Sequence, residues 1–227
     1  MRCACRAILA LACIASAVST HVFAQDGRGG GIPAIVTWVL PDLVRDVYAA
    51  RETIAAMSDT LPDAREAHVR RIDNIYLACI RIAEGDPTRA LLLCAIATLP
   101  YHRFPATIPL TGLVVHVPVS TESLAMFGRR VSHLPTRLLP DSLHGAGADK
   151  LPHFFGSAYL RISTGSSIIA ELLGRSVELG EAVFKLEGFS DSNDLRANEF
   201  GMRFGDALLA DENALPSSVL FSQSICR

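Results

Sequence analysis

The chain has 227 residues, of which 50% are hydrophobic, and its 21 basic and 23 acidic side chains give a net charge of −2. This length suits one compact domain or two small ones, and the apolar half is large enough to bury a core. The charge balance predicts no nucleic-acid partner, because such proteins carry a basic excess on one face.

Residues 1–24 have the organisation of a cleavable signal peptide. Arg2 and Arg6 form its positively charged start, and residues 7–18 (AILALACIASAV) form an uncharged apolar stretch. This stretch is too short for a membrane anchor, since a spanning helix needs about 20 apolar residues. We therefore expect export, which would leave a periplasmic or secreted protein.

The expected cleavage site follows Ala24. Val22 and Ala24 suit the pocket positions of a signal peptidase, so the mature chain would begin at Gln25. Lipid attachment at Cys13 is the less favoured alternative, because it would halve the apolar stretch. After cleavage, the glycines of residues 25–40 are typical of a flexible lead-in.

The hydrophobic periodicity predicts a mainly α protein, a helical bundle with a small β hairpin. Residues 41–134 are expected to form a helical hairpin region that includes this β hairpin. Residues 135–227 are expected to add a second helical region to the same domain. The predicted helices cover residues 41–58, 63–84, 88–98, 121–131, 149–163, 166–186 and 192–209, and the predicted strands cover 106–110 and 113–120.

Cys79 and Cys94 lie at equal sequence distances from the turn around Gly85. In two antiparallel helices both would lie about 9 Å from that turn. The spacing therefore predicts a disulfide, which an exported protein can form. The alternative is that two buried thiols pack as small hydrophobic groups. Cys226 has no evident partner.

The segment around residue 150 holds the first candidate functional residues. Asp149, His153 and Ser157 are spaced by four and so share one face of a helix. They are candidate catalytic residues, because Asp149 could orient the His153 ring and Ser157 could share its proton. The structural alternative is that Asp149 caps the helix and His153 is a satisfied core histidine.

A later segment has the same periodicity. Asp194, Asn198, Gly201 and Gly205 share one helix face. Each glycine costs about 1 kcal/mol in a helix relative to alanine, which indicates that a second helix approaches closely there. Together with Lys150 these residues form the candidate polar cluster.

The paired motifs resemble those of an uncharacterised bacterial family of predicted periplasmic lipoproteins, and also those of the VanZ-like family, which is linked to glycopeptide resistance. The matching residues are Asp149-Lys150-x-x-His153-Phe154-x-x-Ser157-Ala158 and Asp194-x-x-x-Asn198-x-x-Gly201-x-x-x-Gly205. The resemblance covers roughly residues 145–210. It implies a location in the cell envelope and a helical motif.

The leading hypothesis is an exported, non-catalytic envelope protein in which the two motif faces pack together as a buried polar clamp. One alternative is a hydrolase of an envelope lipid or glycan, with His153 as general base. Another is a protein that binds a lipid or small molecule in a pocket lined by Phe154, Phe155 and Phe189.

The expected partner is an envelope component or a small apolar ligand, and no cofactor is predicted. Asp141, His144, Asp149 and His153 are possible metal ligands, but their spacing matches no standard site. No metal is therefore predicted.

Overall fold

The computed structural model describes residues 41–58, 61–107, 114–118, 120, 122–139, 147–165 and 192–221. This part of the chain is mainly helical. Its elements are helices α1 (Pro41–Ala55), α2 (Arg65–Ile82) and α3 (Pro87–Ala97), strands β1 (Arg103–Thr107) and β2 (Val114–Pro118), and helices α4 (Leu124–Ser132), α5 (Lys150–Thr164), α6 (Ser192–Ala210) and α7 (Pro216–Leu220). Several predictions lie outside the described residues: the signal peptide, the lead-in, the helix at 166–186, and the roles of Asp141, His144, Phe189 and Cys226.

The turn between α2 and α3 follows from its sequence. Glu84 and Gly85 adopt positive φ angles of 56° and 90°, which reverses the chain. Asp86 then caps α3, because its carboxylate accepts hydrogen bonds from Thr88 N at 2.8 Å and Arg89 N at 3.2 Å. Pro87 occupies the first turn, where its missing N–H costs nothing.

The starts of α4 and α5 also differ from the prediction. α4 begins at Leu124, three residues later than predicted, because the Ser123 hydroxyl accepts the Met126 N–H at 3.2 Å. α5 begins at Lys150, and Asp149 occupies its N-cap position without a capping hydrogen bond.

The short helix α7 has no counterpart in the prediction. Its start is held by the buried Asp73 of α2, whose carboxylate accepts the Ser217 N–H at 2.8 Å. Periodicity does not predict so short a helix, since five residues barely exceed one turn.

The two strands form an antiparallel pair. Arg103 pairs with Pro118 at one end, and Thr107 pairs with Val114 at the other. Each strand has five residues, so helices provide most of the described core.

Aromatic rings from α2, α5 and α6 contact one another in the core. The rings of Phe154 and Phe204 stack with their centroids 5.6 Å apart, and Tyr76 contacts Phe204 edge to face at 5.2 Å. All three side chains are buried. α3 packs beside them and is apolar on nearly all sides, as expected for a central helix.

The predicted disulfide is absent from the structure. Cys79 of α2 and Cys94 of α3 are free, buried thiols. Burial raises the pKa of the Cys94 thiol, as does its hydrogen bond with Cys79. The two thiols therefore do face each other, but they pack as small hydrophobic groups, which is the alternative interpretation of the sequence.

Among the described residues, none of the helices combines the length and the apolar character needed to cross a membrane.

Candidate functional site

The two motif segments meet along the α5–α6 interface. Lys150, at the start of α5, places its Nζ 2.8 Å from Asp149 Oδ2 and 2.6 Å from Asp194 Oδ1 in the first turn of α6. The Lys150 side chain is only 6% exposed, so this ammonium group is a buried charge held by two carboxylates.

The electrostatics of Lys150 are set by opposing effects. Burial alone lowers the pKa of Lys150, because it disfavours the charged form. Hydrogen bonds to Asp149 and Asp194, together with their negative charges, act in the opposite direction, and the net shift is upward. The ammonium therefore stays protonated at any physiological pH.

His153 lies at the margin of this ion cluster. Its Nε2 is 3.7 Å from Asp194 Oδ1, beyond hydrogen-bond distance, and its side chain is 21% exposed. The prediction that Asp149 orients the imidazole is wrong, because Asp149 pairs with Lys150 instead. The neighbouring carboxylate is Asp194, which comes from the other motif.

Further along the interface, Ser157 donates a hydrogen bond to Asn198 Oδ1 at 2.8 Å. The predicted contact in which Ser157 and His153 share a proton therefore does not form. The buried Ser157 hydroxyl instead joins α5 to α6. Beyond it, Arg161 Nη2 pairs with Asp206 Oδ1 at 2.6 Å. These three contacts are named the polar row: Lys150–Asp194, Ser157–Asn198 and Arg161–Asp206.

The polar row shows that α5 and α6 run parallel. Residue numbers increase together on both helices from the Lys150–Asp194 pair to the Arg161–Asp206 pair. Parallel packing brings two helix N-termini together, and each carries a partial positive charge. Asp149 and Asp194 lie at these two ends, where their negative charge is favourable.

Glycines allow the two helices to approach closely. A Cβ atom on Gly201 would lie 2.1 Å from the backbone oxygen of Phe154 and 3.0 Å from Ser157 Cβ. A Cβ on Gly205 would lie 2.7 Å from Arg161 Cβ. Any larger residue at Gly201 would therefore force the backbones apart, as the sequence predicts for a close helix contact.

Two of the three aromatic residues assigned to a ligand pocket, Phe154 and Phe155, lie in the core instead. Phe154 and Phe155 are fully buried and contact each other edge to face at 5.1 Å. Both rings are part of the packed core and cannot line an open cleft. Within the described ranges, no group of three or more His, Cys, Asp or Glu side chains could hold a metal ion.

The sequence reasoning missed a second buried charged centre. The side chain of Arg130 in α4 is fully buried and binds Glu122, with Arg130 Nη2 2.6 Å from Glu122 Oε1. Arg130 Nη1 also donates to the backbone oxygens of Ala97 and Leu99 at the end of α3. A cation at this position is favourable, because helix C-termini carry partial negative charge.

Arg51 of α1 completes this centre. Its Nη1 donates to Ser120 Oγ at 3.0 Å, and Ser120 Oγ donates to Glu122 Oε1 at 2.7 Å. Burial, and then the nearby charge of Arg130, lower the pKa of Arg51 to about 10, while Glu122 opposes this shift. From the sequence, these residues are predicted only as parts of helices and a strand, because Arg51 lies 69 residues before Ser120 along the chain.

Comparison of the chain with protein-family models, with curated proteins and with solved structures gives no match.

The close approach at Gly201 gives a direct test. We expect Gly201→Ala to lower the free energy of unfolding by about 1–3 kcal/mol, because the added methyl group overlaps the Phe154 carbonyl. The matched control is Gly156→Ala in α5, where a Cβ atom meets nothing within 4 Å. That variant should gain about 0.5–1 kcal/mol from helix propensity. Chemical denaturation measures both, and equal effects would contradict the close approach.

Proposed function

We propose that this chain is an exported cell-envelope protein with a structural or binding role, in which the polar row clamps α5 against α6. The observation that carries the proposal is the Lys150 ammonium, which is buried between Asp149 and Asp194. A buried charge requires partners, and both partners are supplied by the protein itself.

The chemistry of the cluster favours a structural role over catalysis. Lys150 is occupied by two carboxylates, and the Ser157 hydroxyl is occupied by Asn198. A nucleophile or acid must be able to reach its substrate, and a general base must reach the proton it removes. Groups that bind one another across a helix interface instead fix which surfaces of the two helices meet.

The clamp also specifies one alignment of the two helices. Sliding α6 by a single turn would move Asp194 about 5.4 Å from Lys150 and leave a buried charge without its partner. It would also replace Gly201 at its contact with the Phe154 carbonyl. The polar row and the glycines therefore select the same register.

The clamp can be tested by a double-mutant cycle on Lys150 and Asp194. We expect Lys150→Met to cost about 3–5 kcal/mol of unfolding free energy, because two carboxylates lose their shared cation. The loss from Lys150→Met combined with Asp194→Asn should be smaller than the sum of the single losses. Urea denaturation at neutral pH gives all three values.

The control is Glu199–Arg203, an exposed ion pair on α6, the helix that also carries Asp194. Glu199→Gln should change stability by less than about 1 kcal/mol, since exposed pairs contribute little. If Lys150→Met costs no more than Glu199→Gln, the clamp proposal fails.

Export is supported by the sequence of residues 1–24 and has its own test. When the full chain is produced in a bacterial host with a periplasm, we expect the periplasmic fraction to contain a protein whose intact mass begins at Gln25. Ala24→Tyr should block this cleavage, because a bulky side chain does not fit the peptidase pocket. A lipid-modified chain that begins at Cys13 would support the lipoprotein alternative, and an uncleaved cytoplasmic protein would contradict export.

One observation favours a second candidate, a hydrolase of an envelope lipid or glycan. His153 reaches solvent, whereas Lys150 and Ser157 beside it are buried. If His153 is a general base, His153→Gln should leave the melting temperature nearly unchanged and abolish the release of products from phospholipid or peptidoglycan, measured by mass spectrometry. Glu199→Gln, at an exposed position of α6, serves as the control that retains His153 and the clamp. Hydrolysis that survives in His153→Gln would exclude this role for His153.

A further inference from the structure

A buried histidine outside the clamp binds the backbone at Thr136, close to the start of α5. His68 of α2 is 6% exposed, and its Nδ1 accepts the backbone N–H of Thr136 at 3.1 Å. An imidazole nitrogen that accepts a hydrogen bond carries no proton, so this contact requires the neutral ring with its proton on Nε2.

Thr136 in turn contacts the residue just before the clamp. A Cβ atom on Gly147 would lie 1.6 Å from the Thr136 carbonyl oxygen, so the two backbones touch directly. The Gly147 oxygen accepts the Lys150 N–H at 3.2 Å in the turn that precedes α5. A physical connection thus runs from His68 through Thr136 and Gly147 to Lys150.

The charges around His68 come from three parts of the chain. Arg71 lies one turn further along α2, Arg137 follows Thr136, and Asp63 precedes α2. Arg137 Nη2 pairs with Asp63 Oδ1 at 2.5 Å, so its positive charge is partly neutralised. Burial is the largest influence and lowers the pKa of His68. Arg137 and Arg71 act in the same direction, and Asp63 opposes them.

We propose that His68 is a pH-sensitive latch for the clamp: protonation of Nδ1 removes the acceptor for the Thr136 N–H and loosens the support of Gly147 beneath the start of α5. This inference rests on the proposed clamp, because it names how the position of Lys150 is regulated. An exported protein meets a more variable pH than a cytoplasmic one, so the latch would respond to its surroundings.

The direction of the pH effect follows from linkage. Because the pKa of His68 is lower in the folded chain than in the unfolded chain, the unfolded chain binds more protons as the pH falls below about 6.5. The stability contributed by neutral His68 is therefore complete above that pH. It decreases as the pH falls toward the folded-state pKa.

The test compares amide hydrogen exchange of the full-length wild-type protein with that of His68→Asn. Asparagine Oδ1 can accept the Thr136 N–H in place of Nδ1 and does not titrate. After correction for intrinsic exchange rates, acidification from pH 7.5 to 5.0 should reduce the protection of the Thr136 amide roughly three- to tenfold in the wild type. In His68→Asn the protection should stay constant. Equal losses in both proteins, or none in the wild type, would overturn the latch.

An NMR titration of the His68 ring in the wild type keeps the proposal testable if His68→Asn does not fold. The Thr136 amide signal should shift with the same midpoint as the ring, and independent midpoints would overturn the latch. Failure of the latch is distinguishable from failure of the clamp. The cost of Lys150→Met at pH 7.5 reports on the clamp alone, because His68 is neutral there.

Discussion

A buried ammonium group is the constraint on which the α5–α6 pair depends. Two parallel helices bring their partially positive N-termini together, and a lysine at that point would normally add to the repulsion. Asp149 and Asp194 turn this repulsion into attraction, because their two negative charges exceed the single positive charge of Lys150. The same two carboxylates thus stabilise the positive ends of both helices and the Lys150 ammonium, and both are needed to keep that ammonium buried.

Apolar packing reinforces this electrostatic arrangement. Gly201 lies directly against the Phe154 carbonyl, and this short separation of the backbones places Ser157 within hydrogen-bond distance of Asn198. The same approach lets Phe154 stack on Phe204. Burial of these rings supplies most of the favourable energy, whereas the polar contacts are directional and determine which register is adopted.

Local patterns in the sequence predict where a helix forms and which residues share one of its faces. The spacing of Asp149, His153 and Ser157 correctly predicts a helix there. The predicted helix, residues 149–163, begins and ends one residue before α5. The same patterns could not show which carboxylate approaches His153, because Asp194 arrives from another helix. The thiols show the same limit, since facing positions on two helices do not determine whether sulfurs bond.

Long-range pairs are the features that no local pattern reports. Arg130 meets Glu122 within one segment, but Arg51 reaches them from α1, and the hydroxyl that links them belongs to Ser120. In the sequence each of these side chains resembles an ordinary surface residue. Their burial becomes favourable only after the chain has brought opposite charges and open helix ends together.

The competition for Asp194 gives the strongest argument about His153. A carboxylate that activates a histidine must hydrogen-bond to the ring, yet Asp194 Oδ1 is 2.6 Å from the ammonium and 3.7 Å from the imidazole. Its charge is therefore largely neutralised by Lys150 before it acts on His153. For Asp194 to hydrogen-bond to the imidazole instead, it would have to give up its contact with the buried Lys150, at a cost of several kcal/mol. His153 thus lies beside the clamp without a hydrogen bond to Asp194, and any proton transfer at its ring would proceed without help from that carboxylate.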